Sequence, residues 1–185
     1  MTSALLLVVV TQAVPAPPAA PAPPKSASAP TSKPLSYRGF SPGMGYREFS
    51  TKARSMAQTK DDILACQTMH HTAQVMDCAV RVKDADSARF YLSANVIEGR
   101  TSVISLFDSG GVALLKRTQD DMRRQLGTPQ RREHSMWEWS RDRRFIRLNW
   151  RGSKDWRIVS ITLNDRDVMD KIARYVPPAS GSKPK

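Results

Sequence analysis

The chain has 185 residues, of which 40% are hydrophobic and 25% charged, and its formal net charge is +12. That much apolar material excludes a chain disordered throughout and suffices for a single hydrophobic core. The basic excess disfavours cationic partners and points to anionic ones.

An apolar run from Ala4 to Val10 reaches Ala13 without a charge. It is too short to cross a bilayer, which takes about 20 apolar residues. It fits the apolar region of a secretory signal peptide over residues 1–13, with Thr11-Gln12-Ala13 as the small-x-small cleavage site. No cysteine lies in the first 65 residues, so no lipid-bearing cysteine is expected. Residues 14–40 are rich in proline and alanine and read as an extended, disordered tether. Residues 41–176 are expected to form a single α+β domain, and residues 177–185 a disordered polar tail. The expected localisation is export, to the periplasm or beyond it, from a bacterial cell.

Within the domain, Tyr46, Phe49, Ala53 and Met56 recur at helical spacing, which predicts a short amphipathic helix over 46–58. Lys60 to His71 reads as a connection carrying Cys66. Met76, Cys78, Val80 and Val82 alternate with polar residues, as do Phe90, Leu92, Ala94 and Val96, and each set predicts a strand. Glu98-Gly99 reads as a hairpin turn into a third strand, Thr101 to Phe107. Asp108-Ser109-Gly110-Gly111 then reads as a turn opening a second helix, with Val112, Leu115, Met122 and Leu126 inward. Gly127 and Pro129 end that helix. Three more strands are predicted at 135–140, 145–150 and 156–163, the last with Val159, Ile161 and Leu163 on its core face. Asp165 is placed to cap a final helix with Val168, Ile172 and Tyr175 inward. The predicted fold is therefore α+β, an antiparallel sheet of about six strands in the order α-βββ-α-βββ-α, with its helices packed on one face.

Leu126-Gly127-Thr128-Pro129 followed by the Trp137-Glu138-Trp139 strand resembles the small outer-membrane-assembly lipoproteins. The αβββ-repeat layout over Gly45 to Leu163 is also similar to the fold of the β-lactamase inhibitor protein. The resemblance implies a binding or scaffolding module of the cell envelope.

Two cysteines twelve positions apart, Cys66 and Cys78, are expected to form a structural disulfide in an exported chain. The spacing fits neither a CxxC redox site nor a zinc site. Asp108-Ser109-Gly110-Gly111 looks like the nucleophile segment of trypsin-like proteases. It leads into a helix where that family has a strand, and the domain is too small for two barrels, so it is read as a turn. His70, His71 and His134, with Asp77 or Glu133, lack the spacing of a metal motif, and no metal or other cofactor is expected. Lys116 to Arg157 holds thirteen basic and six acidic residues, which confines most of the domain's excess charge to one stretch. There Arg131, Arg132, Arg141, Arg143, Arg144, Arg147 and Arg151 interleave with Trp137 and Trp139 and form the candidate binding face. Forked guanidinium groups beside aromatic rings suit phosphate, sulfate or carboxylate. The expected partners are anionic lipid, an acidic glycan or an acidic envelope protein, with nucleic acid disfavoured by export. The alternative is a hydrolase-like enzyme without a recognisable motif, using scattered carboxylates such as Asp77, Asp84 and Asp86.

Overall fold

Period-two alternation of apolar residues builds eight strands, and helical periodicity builds three helices around them. The structure, a computed structural model, describes residues 34–69, 75–83 and 89–173. The expected signal peptide, most of the tether, the tail, His70, His71, Asp84, Asp86 and Tyr175 lie outside the described residues.

The elements run α1 (Tyr46–Ser55), β1 (Ala65–Thr68), β2 (Val75–Lys83), β3 (Arg89–Ile97), β4 (Arg100–Gly111), α2 (Val112–Leu126), β5 (Arg131–Glu133), β6 (Met136–Arg141), β7 (Arg144–Gly152), β8 (Trp156–Asp165) and α3 (Arg166–Ala173). The strands form one antiparallel sheet in the order β1-β2-β3-β4-β8-β7-β6-β5. Each of the expected βββ runs is thus ββββ, because a short edge strand precedes it. The order is mirrored about the β4–β8 pair, so two αββββ halves meet at the centre of the sheet.

One face of the sheet carries Cys78, Val80, Leu92, Ile104, Leu106, Ile161, Leu148 and Trp139, all buried in one core cluster. Phe49 and Ala53 of α1 and Met122 of α2 join that cluster and cover this face. The third helix does not. Its Val168 packs with Val75 and Ile97 in a separate cluster, and alternation along β2 puts Val75 on the face opposite Cys78. The expectation that all helices share one face therefore holds only for α1 and α2.

Three further corrections concern boundaries. Tyr37 and Phe40 are buried in the core and close a tight turn by exchanging backbone hydrogen bonds of 2.9 Å, so folded structure begins before residue 41. The apolar pattern of Leu35, Tyr37 and Phe40 after the last proline of the tether is the reason. Asp108 to Gly111 is not a turn but the end of β4, paired residue by residue with Val159 to Trp156 of β8. Val112, expected inward on α2, is 52% exposed because it starts the helix beyond the covered face.

Cys66 and Cys78 face each other across β1 and β2, with their sulfurs at bonding distance and Cα atoms 4.0 Å apart. The Glu98-Gly99 hairpin forms as expected, both residues at positive φ. Asp165 caps α3, its Oδ1 accepting the Val168 N–H at 3.1 Å. Among the described residues no helix is long and apolar enough to cross a membrane.

Candidate anion-binding cavity

The second-half arginines are largely committed to the fold. Arg147 on β7 donates from Nε (2.9 Å) and Nη2 (2.6 Å) to Glu138, its cross-strand neighbour on β6. Arg144 Nε donates to Asp165 at 2.8 Å. Arg143 bridges to Asp167 and Asp170 of α3, and these carboxylates hold its guanidinium above its usual pKa. Arg131 pairs with Glu133, and Arg132 lies over the Trp137 ring at 5.3 Å. Arg141 is engaged as well. Arg151 is exposed, with no side-chain hydrogen bond or ion pair among the described residues.

The two candidate tryptophans are core residues, not a binding surface. Trp139 is 1% exposed, and its Nε1–H donates to the Gly127 carbonyl at 2.9 Å. Trp137 is buried edge-on against Trp139 and Trp150. Both stand at alternating positions on the covered face of β6, where burial of the indole outweighs any surface role. Trp156, at the start of β8, is the exposed one, at 51%.

The concave feature lies elsewhere, at the end of the sheet where β3 begins and β4 ends. A cavity of about 590 Å³ opens between α2, the Tyr37–Arg38 turn and the strands. Its floor is apolar: Phe90 of β3, Leu106 of β4, and Val159 and Ile161 of β8. Leu114, Arg117, Thr118, Asp121 and Arg124 of α2 overhang it, spaced three and four residues apart on one helix side. A second concavity of about 260 Å³ adjoins it and shares Arg89, Phe90, Phe107 and Asp108 with the first. It adds Gln58, Arg81, Tyr91 and Ser109.

Charge at this end is uneven. Arg38 is held inside: its side chain is 14% exposed, it stands 5.2 Å over the Phe90 ring, and Nη2 is 3.8 Å from Asp121. Asp121 also accepts from the Tyr37 hydroxyl at 2.8 Å and from Gln125 and Arg124. Burial pushes the Tyr37 phenol well above its usual pKa. By contrast Arg81, Arg89 and Arg117 are exposed and have no side-chain hydrogen bond or ion pair among the described residues. Lys83 stands directly across from Arg89 in the β2–β3 ladder. Like charges opposite each other destabilise an antiparallel pair.

Asp108 is the carboxylate at the junction of the two concavities. Burial raises its pKa, against the Ser109 N–H that it accepts at 2.7 Å and the fields of Arg117 and Arg38. Ser109, next to it, alternates to the opposite face and is exposed, so the two do not act together as a nucleophile and base. Among the described residues no group of three or more His, Cys, Asp or Glu stands close enough to hold a metal ion.

Sequence reasoning missed Arg38, Arg81, Arg89 and Arg117, and read Asp108 only as part of a turn. One signal was present: pairing the two predicted strands across residues 83 and 89 would have set Lys83 against Arg89. Compared with known protein families, curated proteins and solved structures, the chain gives no significant match.

Proposed function

We propose that the chain is an exported binding module that takes an anionic ligand in the cavity beneath α2. The observation that carries this reading is the contrast between two sets of arginines. Those of the second half, Arg151 apart, are mostly neutralised by carboxylates or stacked on aromatic rings, whereas Arg89 and Arg117, which line the cavity, and Arg81, which lines the adjoining concavity, make no side-chain hydrogen bond or ion pair among the described residues. An uncommitted guanidinium keeps its forked donors for an incoming phosphate, sulfate or carboxylate. The disulfide supports export, since such bonds persist in oxidising compartments. A binding module is also what the resemblance to the envelope lipoproteins and the β-lactamase inhibitor fold implies.

The test is equilibrium binding of anilinonaphthalene sulfonate, an aromatic anion, followed by its fluorescence across a salt series. The full chain should bind it, and affinity should fall as salt rises, because exposed charges are screened. Arg89→Gln combined with Arg117→Gln should weaken binding about tenfold, the loss of two charge-assisted contacts partly rescued by water. Equal affinity in the double variant would refute the site.

A second reading, a hydrolase, has one observation in its favour. Asp108 sits in a cleft with a raised pKa, as a general acid does. Turnover of a bound ester that stops in Asp108→Asn would favour it.

A further inference from the structure

The two faces of the sheet are unequally covered. Helices α1 and α2 close one face, whereas α3 closes only one end of the other, where Val168 packs on Val75 and Ile97. At the opposite end of that second face, large side chains stay exposed. Alternation brings Tyr91 of β3, Phe107 of β4, and Ile158 and Trp156 of β8 there. Tyr91 stands directly across from Phe107, and Ile158 and Trp156 continue the line diagonally along β8. Tyr91 is 46% exposed, Phe107 40% and Trp156 51%. A contiguous apolar patch with a polar rim marks a contact surface.

Cations stand at both ends of this line. Arg81 pairs with Tyr91 across β2 and β3, and Lys83 and Arg89 form the next pair on the same face. Arg151 pairs with Ile158 across β7 and β8. All four are exposed, without a side-chain hydrogen bond or ion pair among the described residues. Asp108 borders the smaller concavity, but alternation gives it to the covered face, where Arg117 and Arg38 offset its charge. Asp84 and Asp86 lie outside the described residues.

Charge narrows the occupant. Residues 1–33 and 174–185 are basic and contain no acidic residue, so neither segment complements this surface. A symmetric pair of copies would set cation against cation. Arg81 and Arg151 are four strand spacings apart, about 19 Å across the sheet. Between them stand rings and the uncharged Ser160 and Asn149, which both donate and accept hydrogen bonds. Single-stranded nucleic acid carries charge on every unit and is held by cations that track its backbone, which the middle of this line lacks.

We infer that this uncovered half-face binds an acidic glycan, a chain of several sugar rings with a carboxylate or sulfate on some of them. The C–H face of a sugar lies on Tyr91 and Phe107, its hydroxyls exchange hydrogen bonds with Ser160 and Asn149, and the acid groups meet Arg81 and Arg151. The surface is on the side of the sheet opposite α2, so the inference does not rest on the cavity reading.

The experiment is calorimetric titration of the full chain with hexagalacturonate, its fully methyl-esterified form, a sulfated dextran oligosaccharide and hexathymidylate. The acidic glycans should bind, more weakly as salt rises, and the ester should bind at least about tenfold more weakly than the acid. Tyr91→Thr with Phe107→Thr should cost about tenfold in affinity, as should Arg81→Gln with Arg151→Gln. All four side chains are exposed, so both double variants should keep the circular dichroism of the parent. Arg117→Gln, which acts on the cavity beneath α2, should leave glycan affinity unchanged.

Binding of neither acidic glycan would overturn the inference, and equal binding of the ester would remove its acidic part. Parental affinity in the Tyr91/Phe107 variant would reduce the contact to charge alone and overturn it. A loss in Arg117→Gln as large as that in the Arg81/Arg151 variant would move the glycan to the cavity and overturn it too. Tighter binding of hexathymidylate than of either glycan would assign the face to single-stranded nucleic acid instead.

Discussion

Asp165 shows how one residue ties separate parts of the chain together. Its carboxylate, 2% exposed, caps α3 through the Val168 N–H and accepts from Arg144 Nε. Gly43 packs against the same group at φ +73°, where a Cβ would stand 2.0 Å from Oδ2. The capping role is legible from sequence, since an aspartate precedes a helical pattern. The role of Arg144 is not, because a guanidinium bound to a partner far along the chain looks the same in sequence as a free one. The pair is also asymmetric. Arg144 is 49% exposed and can rehydrate, whereas Asp165 cannot. Removing the arginine leaves a buried carboxylate short of its counter-charge, which costs about 3 kcal/mol. Arg144→Ala should therefore lower the urea midpoint by a corresponding amount, while Arg151→Ala, at an exposed site without a partner among the described residues, should shift stability by no more than about 0.5 kcal/mol. Similar small shifts in both would return Arg144 to the set of free surface charges.

At the scale of elements, β1 depends on the disulfide more than on packing. All four of its residues are exposed, and it meets the sheet only along β2, where Cys66 is bonded to Cys78. Cross-linking a loop of this size stabilises a fold by about 3 kcal/mol in the chain-entropy model. Reduction should speed amide exchange at residues 65–68 by orders of magnitude and leave β3 and β4 protected, since their partners lie on both sides. Unchanged protection at 65–68 would show that backbone pairing alone holds this edge. The same exposure explains which strands could be read in advance. The six inner strands each bury one side, so apolar residues alternate along them and the sequence shows it. The edge strands Ala65–Thr68 and Arg131–Glu133 bury neither side, so no period-two signal exists to find. The end of β4 was obscured differently: Gly110-Gly111 has turn composition, yet β8 pairs with both glycines and keeps them extended.

For the whole molecule, the mirrored strand order makes two similar halves, but it does not make two cores. One cluster runs from Val82 on β2 through Leu106 and Ile161 to Trp139 on β6, and Met122 of α2 joins it. The candidate site follows the same logic. It draws residues 38, 81, 89, 108 and 117 to one end of the sheet from five segments, so no local motif records it. The basic stretch 116–157 that stood out in sequence is instead divided between ion pairs of both sheet faces and the α2 overhang. A shared core has a thermodynamic consequence. All four tryptophans, 137, 139, 150 and 156, belong to the second half, so their fluorescence reports that half, whereas far-ultraviolet circular dichroism reports the entire sheet. With the disulfide intact, urea should unfold both signals at one midpoint with one slope, as expected when neither half can lose its partner and keep its buried face. A fluorescence transition that completes before the dichroism changes would mean that the β4–β8 seam separates two independently stable units, and the continuity of the core across it would then contribute little to stability.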